Sequence, residues 1–558
     1  MIANTNTLAG FNGTALSGSK VNVAMGNPSS LSNNGQQGLT MTVSGANSSS
    51  LFNVNTLAAN SNGQQGLLTT VSAGGNLDFR SIASTYNNNG TGATKYDGVD
   101  MRVNGNTSTL LSLFDGGSAN GNGRDGYHFG GLTDAGSLAS ATLTASLNNG
   151  VTSTGNGRDS LNFDAQSGAK AALLSSGTPL TLTGPANLNF SSVAQTAVAN
   201  LTGNFQFNNN AAGSGLTAKF SSANTAIFNL NGLGASHANG NSGSGLDISM
   251  SGVTNGSVQV AGFGTANNNL ADGIKVLMNN VTTGALSLQG VNAKTLLNGN
   301  AGDGLDTQLT NVSLINNFGS TVAAPTITQL TTSSNQPSPY AVLPLPVTGP
   351  VSLAGVTPAT AFNVNNFSAN ANSLGGVIVD ATRLTIANGG SMSNNVGNGS
   401  NGGDGIRLKI NDSALVGATA NNFLFNNNSA SVNKGDGLPG RSGESGPSWV
   451  PWAPRRLLPA RACPIPSRST TPALAAPSAF APALSMCSRW CPGTAARPAR
   501  SLRRPAPKIV WAASAVKPPA PPTSCRSACI SATRPPAPWV WPTEPARAIC
   551  KLVWLAGC

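Results

Sequence analysis

The stretch "NSGSGLDISM", residues 241–250, contains the pattern from which the fold can be predicted. A turn rich in Asn, Gly and Ser ends at Gly245, and the apolar residues Leu246, Ile248 and Met250 then alternate with polar ones. Alternation with a period of two is typical of a β-strand with one buried face, and Gly, Asn and Ser favour turns. The stretch therefore predicts a short strand that begins directly after a tight turn.

The same unit recurs along the first 440 residues. Other copies are "SNGQQGLLTTV" (61–71), "NNLADGIKVLM" (268–278) and "NGGDGIRLKI" (401–410). The glycine that precedes the strand, which we call the anchor, falls at Gly38, Gly66, Gly98, Gly126, Gly215, Gly245, Gly273, Gly304, Gly376, Gly405 and Gly437, and Ser160 replaces it in one copy. Most anchors are 28–34 residues apart; we interpret a step of 55 as two units and a step of 72 as two units plus an insertion.

The length of the unit indicates how the chain buries its apolar residues. A unit of about 30 residues with two or three short strands cannot bury its own apolar face, but stacked copies can. The sequence therefore predicts an all-β fold, a parallel β-helix solenoid with about 28–34 residues per coil and about 14 coils. Asn side chains at equivalent turn positions are expected to stack as hydrogen-bonded ladders.

The "N-x-G-D-G-[IL]-x-L-x-I" coils resemble right-handed parallel β-helix repeats of the pectin-lyase-like type. Such repeats occur in bacterial secreted and surface proteins, including adhesin-like and autotransporter passenger regions. The resemblance implies a right-handed solenoid, an extracellular or cell-surface location, and glycans or other cell-surface components as partners. It leaves activity open, because the same coil carries lyases, hydrolases, adhesins and inert stalks.

The chain consists of two parts with different compositions. Residues 1–440 contain 14 Lys and Arg, 16 Asp, and no Cys, Trp or Glu, whereas residues 441–558 contain 16 Lys and Arg, two Glu and all seven Cys. The basic charge thus belongs to the tail and does not predict a nucleic-acid partner. The Cys-free body favours export. No run approaches the ~18 apolar residues of a transmembrane segment, and the N-terminus lacks a signal-peptide pattern, which we interpret as a truncated N-terminus.

Composition also divides the chain into four segments. We expect parallel β-helix repeats in 1–317, a Pro-rich insertion or loop with irregular coil in 318–366, further repeats in 367–438, and a disordered basic Pro/Ala/Arg-rich tail in 439–558. From 441 onward the chain has no Asn, Asp, Gln, His or Tyr. These five residues share adenine at the middle codon position, so the tail is interpreted as a frameshift product. The alternatives are a basic linker or a Cys-rich domain.

Asp precedes the anchor glycine in several units and is the main candidate for chemistry. Neighbouring coils would bring Asp272 close to Asp303, and with Asp404 and Asp436 these are the candidate ligands of Ca²⁺ or a glycan. The alternative is a plain turn residue, because other units have Gln, Ser or Gly at this position. We predict no catalytic residue, and no cofactor apart from a possible Ca²⁺.

The two histidines give no metal signature. Neither His128 nor His237 has a Cys or a second His nearby, so no zinc site is predicted. His128 alternates with Tyr127 and Phe129 and is therefore predicted to point to solvent. The "RLK" at 407–409 resembles the Arg-x-Lys of polygalacturonases, but their paired Asp and Gly-His-Gly companions are absent, so no catalytic role is carried over.

These features favour a non-catalytic structural or adhesive rod of a bacterial exported surface protein. The alternative is a carbohydrate-active β-helix enzyme, a polysaccharide lyase or hydrolase, which would need clustered carboxylates. The two hypotheses differ in whether the Asp row acts on a polysaccharide.

Overall fold

The computed structural model describes residues 1–132, 137–290, 294–314, 321–322, 351–352, 362–387, 390–398, 400–411, 414–416, 423–424 and 427–435. These residues form an all-β parallel solenoid of about 12 turns, which confirms the predicted fold class. The described ranges contain strands and turns but no helix, and hence none that could cross a membrane. Asp436 and the segment 439–558 lie outside them, so the predictions made for both stay predictions.

The strands stack coil upon coil as three parallel ladders, which we call the first, second and third faces. The first face contains β1 (Phe11–Leu16), β4 (Leu39–Ser44), β7 (Leu67–Ser72), β9 (Val99–Val103), β11 (Tyr127–Gly130), β14 (Leu161–Gln166), β17 (Ala186–Ser191), β19 (Leu216–Ser221) and β31 (Ile406–Asn411). The second contains β2 (Lys20–Met25), β5 (Ser49–Asn55), β12 (Thr142–Asn148), β15 (Lys170–Ser176), β27 (Phe362–Asn365), β30 (Gly390–Ser393), β32 (Ala414–Val416) and β33 (Phe423–Leu424). The third contains β3 (Ser29–Ser30), β6 (Leu57–Ala58), β13 (Thr152–Ser153), β16 (Leu180–Thr183), β23 (Thr295–Leu296) and β28 (Phe367–Ser368).

Eight longer strands continue from one face to the next. They are β8 (Asn76–Thr85), β10 (Thr109–Ser118), β18 (Thr196–Gln206), β20 (Thr225–His237), β21 (Leu246–Thr265), β22 (Ile274–Gln289), β24 (Leu305–Leu314) and β29 (Val377–Ala387). The two remaining strands, β25 (Thr321–Val322) and β26 (Val351–Ser352), pair antiparallel with each other.

Each apolar position stacks on its equivalent in the next coil, and this stacking builds the core. On the first face Phe163, Phe190 and Phe220 form a column with ring centroids 4.9 and 4.7 Å apart. The core is continuous along the described solenoid, as expected when no single coil can bury its own apolar residues.

The predicted Asn ladder is confirmed. The Asn34 side chain donates to Asn62 Oδ1 at 3.0 Å, and Asn62 donates to Asn89 Oδ1 at 3.0 Å. Each of these oxygens also accepts the backbone N–H of the donating residue. One run contains Asn6, Asn34, Asn62, Asn89, Asn122 and Asn156, and a second contains Asn210, Asn241, Asn269, Asn300, Asn372, Asn401 and Asn433. The ladder thus satisfies buried polar groups at one corner of nearly every coil.

This ladder explains the anchor glycine. A Cβ at Gly66 would lie 2.7 Å from the Asn89 amide nitrogen and 2.8 Å from a backbone oxygen of Ala59, so no side chain fits. Ser160 is the exception because the coil that follows it has no ladder Asn. There the Ser160 hydroxyl donates to the Pro185 carbonyl at 2.9 Å.

The interpretation of the 72-residue step as two units plus an insertion is wrong in the number of units. Asn300 donates directly to Asn372, 72 residues later, and Leu305 pairs with Val377. These 72 residues therefore form one coil that carries a long inserted segment, because a strand of the solenoid pairs only with strands of the adjacent coils. The solenoid resumes at Phe362, and this difference accounts for part of the excess in the predicted coil number. The 55-residue step does contain two coils, because Leu161 pairs with Ala186 and Ala186 with Leu216.

Candidate functional site: a buried charge cluster on the first face

The anchor aspartates form hydrogen-bonded rungs between coils. Asp272 Oδ1 accepts the backbone N–H of Asp303 at 2.8 Å, so these two predicted candidates do come together. The Ser214 hydroxyl accepts the backbone N–H of Ser244 in the same way at 3.1 Å. Because serine makes the same rung as aspartate, the position requires an acceptor and not a charge. Asp404 accepts from Arg407 Nη1 at 3.1 Å.

In the coils of β9, β11 and β14, the rungs are combined with arginines. Arg124 Nε donates to Asp97 at 2.7 Å, and Arg158 Nε donates to Asp125 at 2.8 Å. The second guanidinium nitrogen of each arginine contacts the other oxygen of the same carboxylate. Each arginine thus binds the aspartate of the preceding coil through two parallel hydrogen bonds, the strongest geometry for this pair.

Asp100, on strand β9, extends this cluster on the outer side of the first face. Arg102 Nε and Nη2 donate to Asp100 at 2.9 and 2.7 Å, and His128 Nδ1 lies 2.9 Å from its Oδ1. Gln65 donates to the other Asp100 oxygen at 3.2 Å. We call Asp97, Asp100, Arg102, Arg124, Asp125, His128, Arg158 and Asp159 the first-face cluster. The Asp97, Asp100 and Asp125 side chains are fully buried.

The prediction that His128 points to solvent is wrong. The alternation was interpreted correctly, since Tyr127 and Phe129 lie in the core and His128 points away from it. His128 is nevertheless only 5% exposed. The chain leaves the first face after Gly130, and Arg102 donates to the Leu132 carbonyl at 3.2 Å, so a loop lies beside the cluster. A period of two specifies the side of a strand but not what covers that side.

The electrostatics follow from burial and from the neighbouring charges. Burial alone would lower the pKa of His128, but the hydrogen bond and charge of Asp100, with the charges of Asp97 and Asp125, outweigh it and raise the pKa. Burial, and then repulsion from Asp125, raise the pKa of Asp159 to about 7. Four carboxyls thus face three guanidiniums and one imidazole, so the cations that pair with the buried carboxyls come from the protein itself.

Asp97, Asp100 and His128 are the group of described residues that could hold a metal ion, because their ligand atoms lie within 4.8 Å of one another. The carboxylate oxygens, however, already accept from Arg102 and Arg124. A guanidinium cannot release its proton, so a metal ion would have to displace two arginines. The geometry therefore fits an ion-pair network better than a metal centre.

A second group of carboxyls lies nearer the C-terminal end of the solenoid. Burial, and then repulsion from Asp272 and Asp303, raise the pKa of Asp306 to about 6. Gln308 donates to Asp306 at 2.8 Å. Farther along, Arg407 donates to Asp380 at 2.7 and 3.0 Å in addition to Asp404. Asp272, Asp303 and Asp306 are thus less fully paired with cations than the first-face cluster.

Sequence reasoning missed most of the first-face cluster, although two local signals were present. The first is the repeated "GNGRD" at 121–125 and 155–159, which places an Arg one coil away from an Asp. The second is the pattern Asp-x-Arg in "DFR" (78–80) and "DMR" (100–102), which places opposite charges on the same side of a strand. His128 has no such local signal because its partner Asp100 lies one coil earlier.

Comparison of the chain with protein-family models, with curated proteins and with solved structures found no match.

Proposed function

We propose that the solenoid is a non-catalytic structural or adhesive rod of a bacterial exported surface protein. The observation that supports this proposal is the pairing of the carboxyls. Asp97, Asp100 and Asp125 are buried and bound by arginines. Carboxyls in that state cannot exchange protons with a substrate, which acid–base cleavage of a polysaccharide requires. Export is supported by the absence of Cys from residues 1–440.

The pectin-lyase-like, adhesin-like and autotransporter-like assignments belong to the same proposal. They depend on the resemblance of the coils and on the solenoid architecture, which hosts both binding and catalytic functions. The expected partners are glycans or other cell-surface components, and the expected location is outside the cell.

A polysaccharide lyase or hydrolase is the second candidate, and one observation favours it. With a pKa of about 6, the Asp306 carboxyl can carry a proton near neutral pH beside Asp272 and Asp303. A protonated carboxyl next to further carboxyls is the combination that glycoside hydrolysis uses. The carboxyl oxygens of the same three side chains could instead bind Ca²⁺.

Depolymerisation assays on acidic polysaccharides separate the two functions. If the solenoid is a structural or adhesive rod, the full chain should release neither reducing ends nor unsaturated products. Any binding of glycans should then be unchanged by Asp306→Asn. Product formation that Asp272→Asn or Asp303→Asn abolishes would contradict it. A melting temperature that Ca²⁺ raises and a chelator lowers, with loss of the effect in Asp303→Asn, would indicate a Ca²⁺-stiffened stalk.

A further inference from the structure

The third face carries a second row of asparagines beside the ladder. In most coils another Asn lies two residues before the ladder Asn, as in 87–89 and 267–269. The residue between the two has a left-handed backbone, with φ of 56° at both Asn88 and Asn268, so the chain turns between them. We call the following six residues the outer Asn row: Asn60, Asn87, Asn120, Asn239, Asn267 and Asn298.

The outer Asn row is bonded differently from the ladder. Asn267 Oδ1 accepts the backbone N–H of Asn298 at 2.7 Å, and Asn298 Oδ1 accepts that of Asn370 at 3.0 Å. All six amide oxygens accept a backbone N–H of the following coil in this way. Among the described residues, however, no side-chain nitrogen of the row donates to another Asn of the row, whereas the ladder uses both ends of its amides.

This bonding leaves amide hydrogens available to a ligand. A backbone N–H can bond only to the oxygen of an Asn side chain, so the bond also identifies the nitrogen. The side-chain nitrogens of Asn87, Asn239, Asn267 and Asn298 donate to no described residue, and they are not among the buried polar atoms that lack a partner. These nitrogens therefore reach solvent, and the row presents hydrogen-bond donors outward.

The row is also held in place by hydroxyl groups. The Ser118 hydroxyl donates to Asn87 Oδ1 at 3.1 Å, and the Thr265 hydroxyl donates to Asn239 Oδ1 at 2.9 Å. These bonds occupy the amide oxygens further, so the amides offer donors rather than acceptors to the outside. The donors repeat once per coil, at ~4.8 Å along the solenoid. A row fixed at both backbone and side chain loses little conformational entropy when it binds.

The third face carries no formal charge where it presents this row. The strands and turns that carry it contain no Asp, Glu, Lys or Arg, as is seen in residues 57–62, 84–89, 118–122, 236–241, 264–269, 295–300 and 367–372. The other two faces differ from it. The first face has the paired charges of the first-face cluster, and the second has Leu111, Val198 and Ile227, which lie outside the core cluster and are 7%, 2% and 0% exposed.

A ligand that fits this face offers acceptor oxygens at a regular spacing and needs no cation. The hydroxyl and ring oxygens of a neutral polysaccharide recur in every sugar unit and meet both requirements. A polyanion would lose hydration of its charges on this face without gaining a cation in return. One amide contributes little by itself, but a polymer that lies along several coils engages many donors at once.

We propose that the third face binds a neutral polysaccharide that lies along the solenoid, with the amide N–H groups of the outer Asn row as donors. This inference rests on the proposed adhesive function, and it assigns that function to one face and to one class of glycan.

Cosedimentation of the full chain with insoluble cellulose, chitin and mannan tests the proposal, with polygalacturonate-coated beads as the acidic counterpart. The variant Asn239→Ser/Asn267→Ser/Asn298→Ser removes three donors but keeps an acceptor in each rung, since Ser32 accepts the backbone N–H of Asn60 at 3.1 Å. We expect the full chain to bind at least one neutral polysaccharide and the variant to bind it at least about tenfold more weakly. The control Asn187→Ser/Asn189→Ser, at half-buried positions of the first face, should bind as the full chain does.

Three results would overturn the proposal: no binding to any of the three neutral polysaccharides, binding to polygalacturonate alone, or an equal loss in the control. If the triple variant fails to unfold cooperatively in urea, Asn267→Asp repeats the test, because it keeps the acceptor oxygen and removes only the nitrogen. Its expected result is a several-fold loss of binding, and unchanged binding would overturn the proposal. Absence of binding without any depolymerisation would leave the structural rod in place, whereas product formation would contradict the proposed function itself.

Discussion

The first and second faces of the solenoid are alike in the side chains that point inward and differ in the side chains that point outward. Inward, both present stacked apolar residues to one core. Outward, the first face presents the paired charges of the first-face cluster, whereas the second presents Leu111, Val198 and Ile227. The core pattern is thus common to both faces and specifies the fold, while the outward residues differ and specify what each face can contact.

The largest effect is expected from breaking the charge pairing on the first face. Arg124→Ala leaves the Asp97 carboxylate buried without its cation, which costs about 3–5 kcal/mol of the free energy of unfolding. Chemical denaturation measures this loss. Lys219→Ala, at an exposed position on the same face, is the control and should change stability by less than about 0.5 kcal/mol. Equal effects of the two substitutions would contradict the structural role of the cluster.

The next effect comes from placing a charge on the second face. Ile227 is fully buried on the outer side, so Ile227→Lys should lower the free energy of unfolding by about 2–4 kcal/mol. Thr217→Lys, half-buried on the outer side of the first face, is the matched control with an expected loss below about 1 kcal/mol. If Ile227→Lys were as well tolerated as the control, the outer sides of the two faces would be alike.

Removal of an Asn from the ladder should lower the stability of the whole coil and not of one face alone. The ladder lies at the corner between the third and first faces. Asn62→Ala removes the acceptor of the Asn34 backbone and side-chain N–H groups. We expect a loss of about 2 kcal/mol, since buried donors are left without a partner. Asn204→Ala is the control, because this exposed residue accepts a single side-chain hydrogen bond, from Gln206 at 3.0 Å. Thermal and chemical unfolding curves measure both variants, and similar melting curves for the two would argue against the ladder as a source of stability.

A change in pH should act through the first-face cluster. The pKa of His128 is raised above its ordinary value of 6.5, so its contribution to stability is complete below pH 6.5 and is lost as the pH rises through the folded-state pKa. Asp159 acts in the same direction: its folded-state pKa of about 7 exceeds the ordinary 3.8, so stability falls between about pH 4 and 7. Urea denaturation from pH 5 to 9 should show declining stability, with a weaker decline above pH 6.5 in His128→Gln. An identical pH profile in His128→Gln would contradict this assignment.

The smallest effect is expected at the anchor aspartates that lack an arginine. Asp272→Ser should change the free energy of unfolding by less than about 0.5 kcal/mol, because Ser214 and Ser244 make the same rung in neighbouring coils. Asp272→Leu, which removes the acceptor, is the comparison and should lose about 1–2 kcal/mol. A large loss in Asp272→Ser would indicate that the charge itself has a function.

The features that could be predicted from the sequence are those that recur in every coil. The anchor glycine, the alternating strand and the Asn ladder all repeat at one period, so stacking follows directly from the pattern. The environment of His128 could not be predicted, because it depends on Asp100 from the preceding coil and on the loop beside it. The 72-residue step was misinterpreted for a related reason: spacing alone does not distinguish an insertion within one coil from an additional coil.

The most direct test of the proposed rod is a double-mutant cycle between Asp97→Asn and Arg124→Gln, combined with the depolymerisation assay. The cycle isolates the interaction energy of the pair from other effects of each substitution. We predict a coupling of about 2 kcal/mol in the free energy of unfolding and no product from acidic polysaccharides in any of the four proteins. A coupling near zero, together with product formation that either substitution abolishes, would contradict the structural role and indicate a catalytic site.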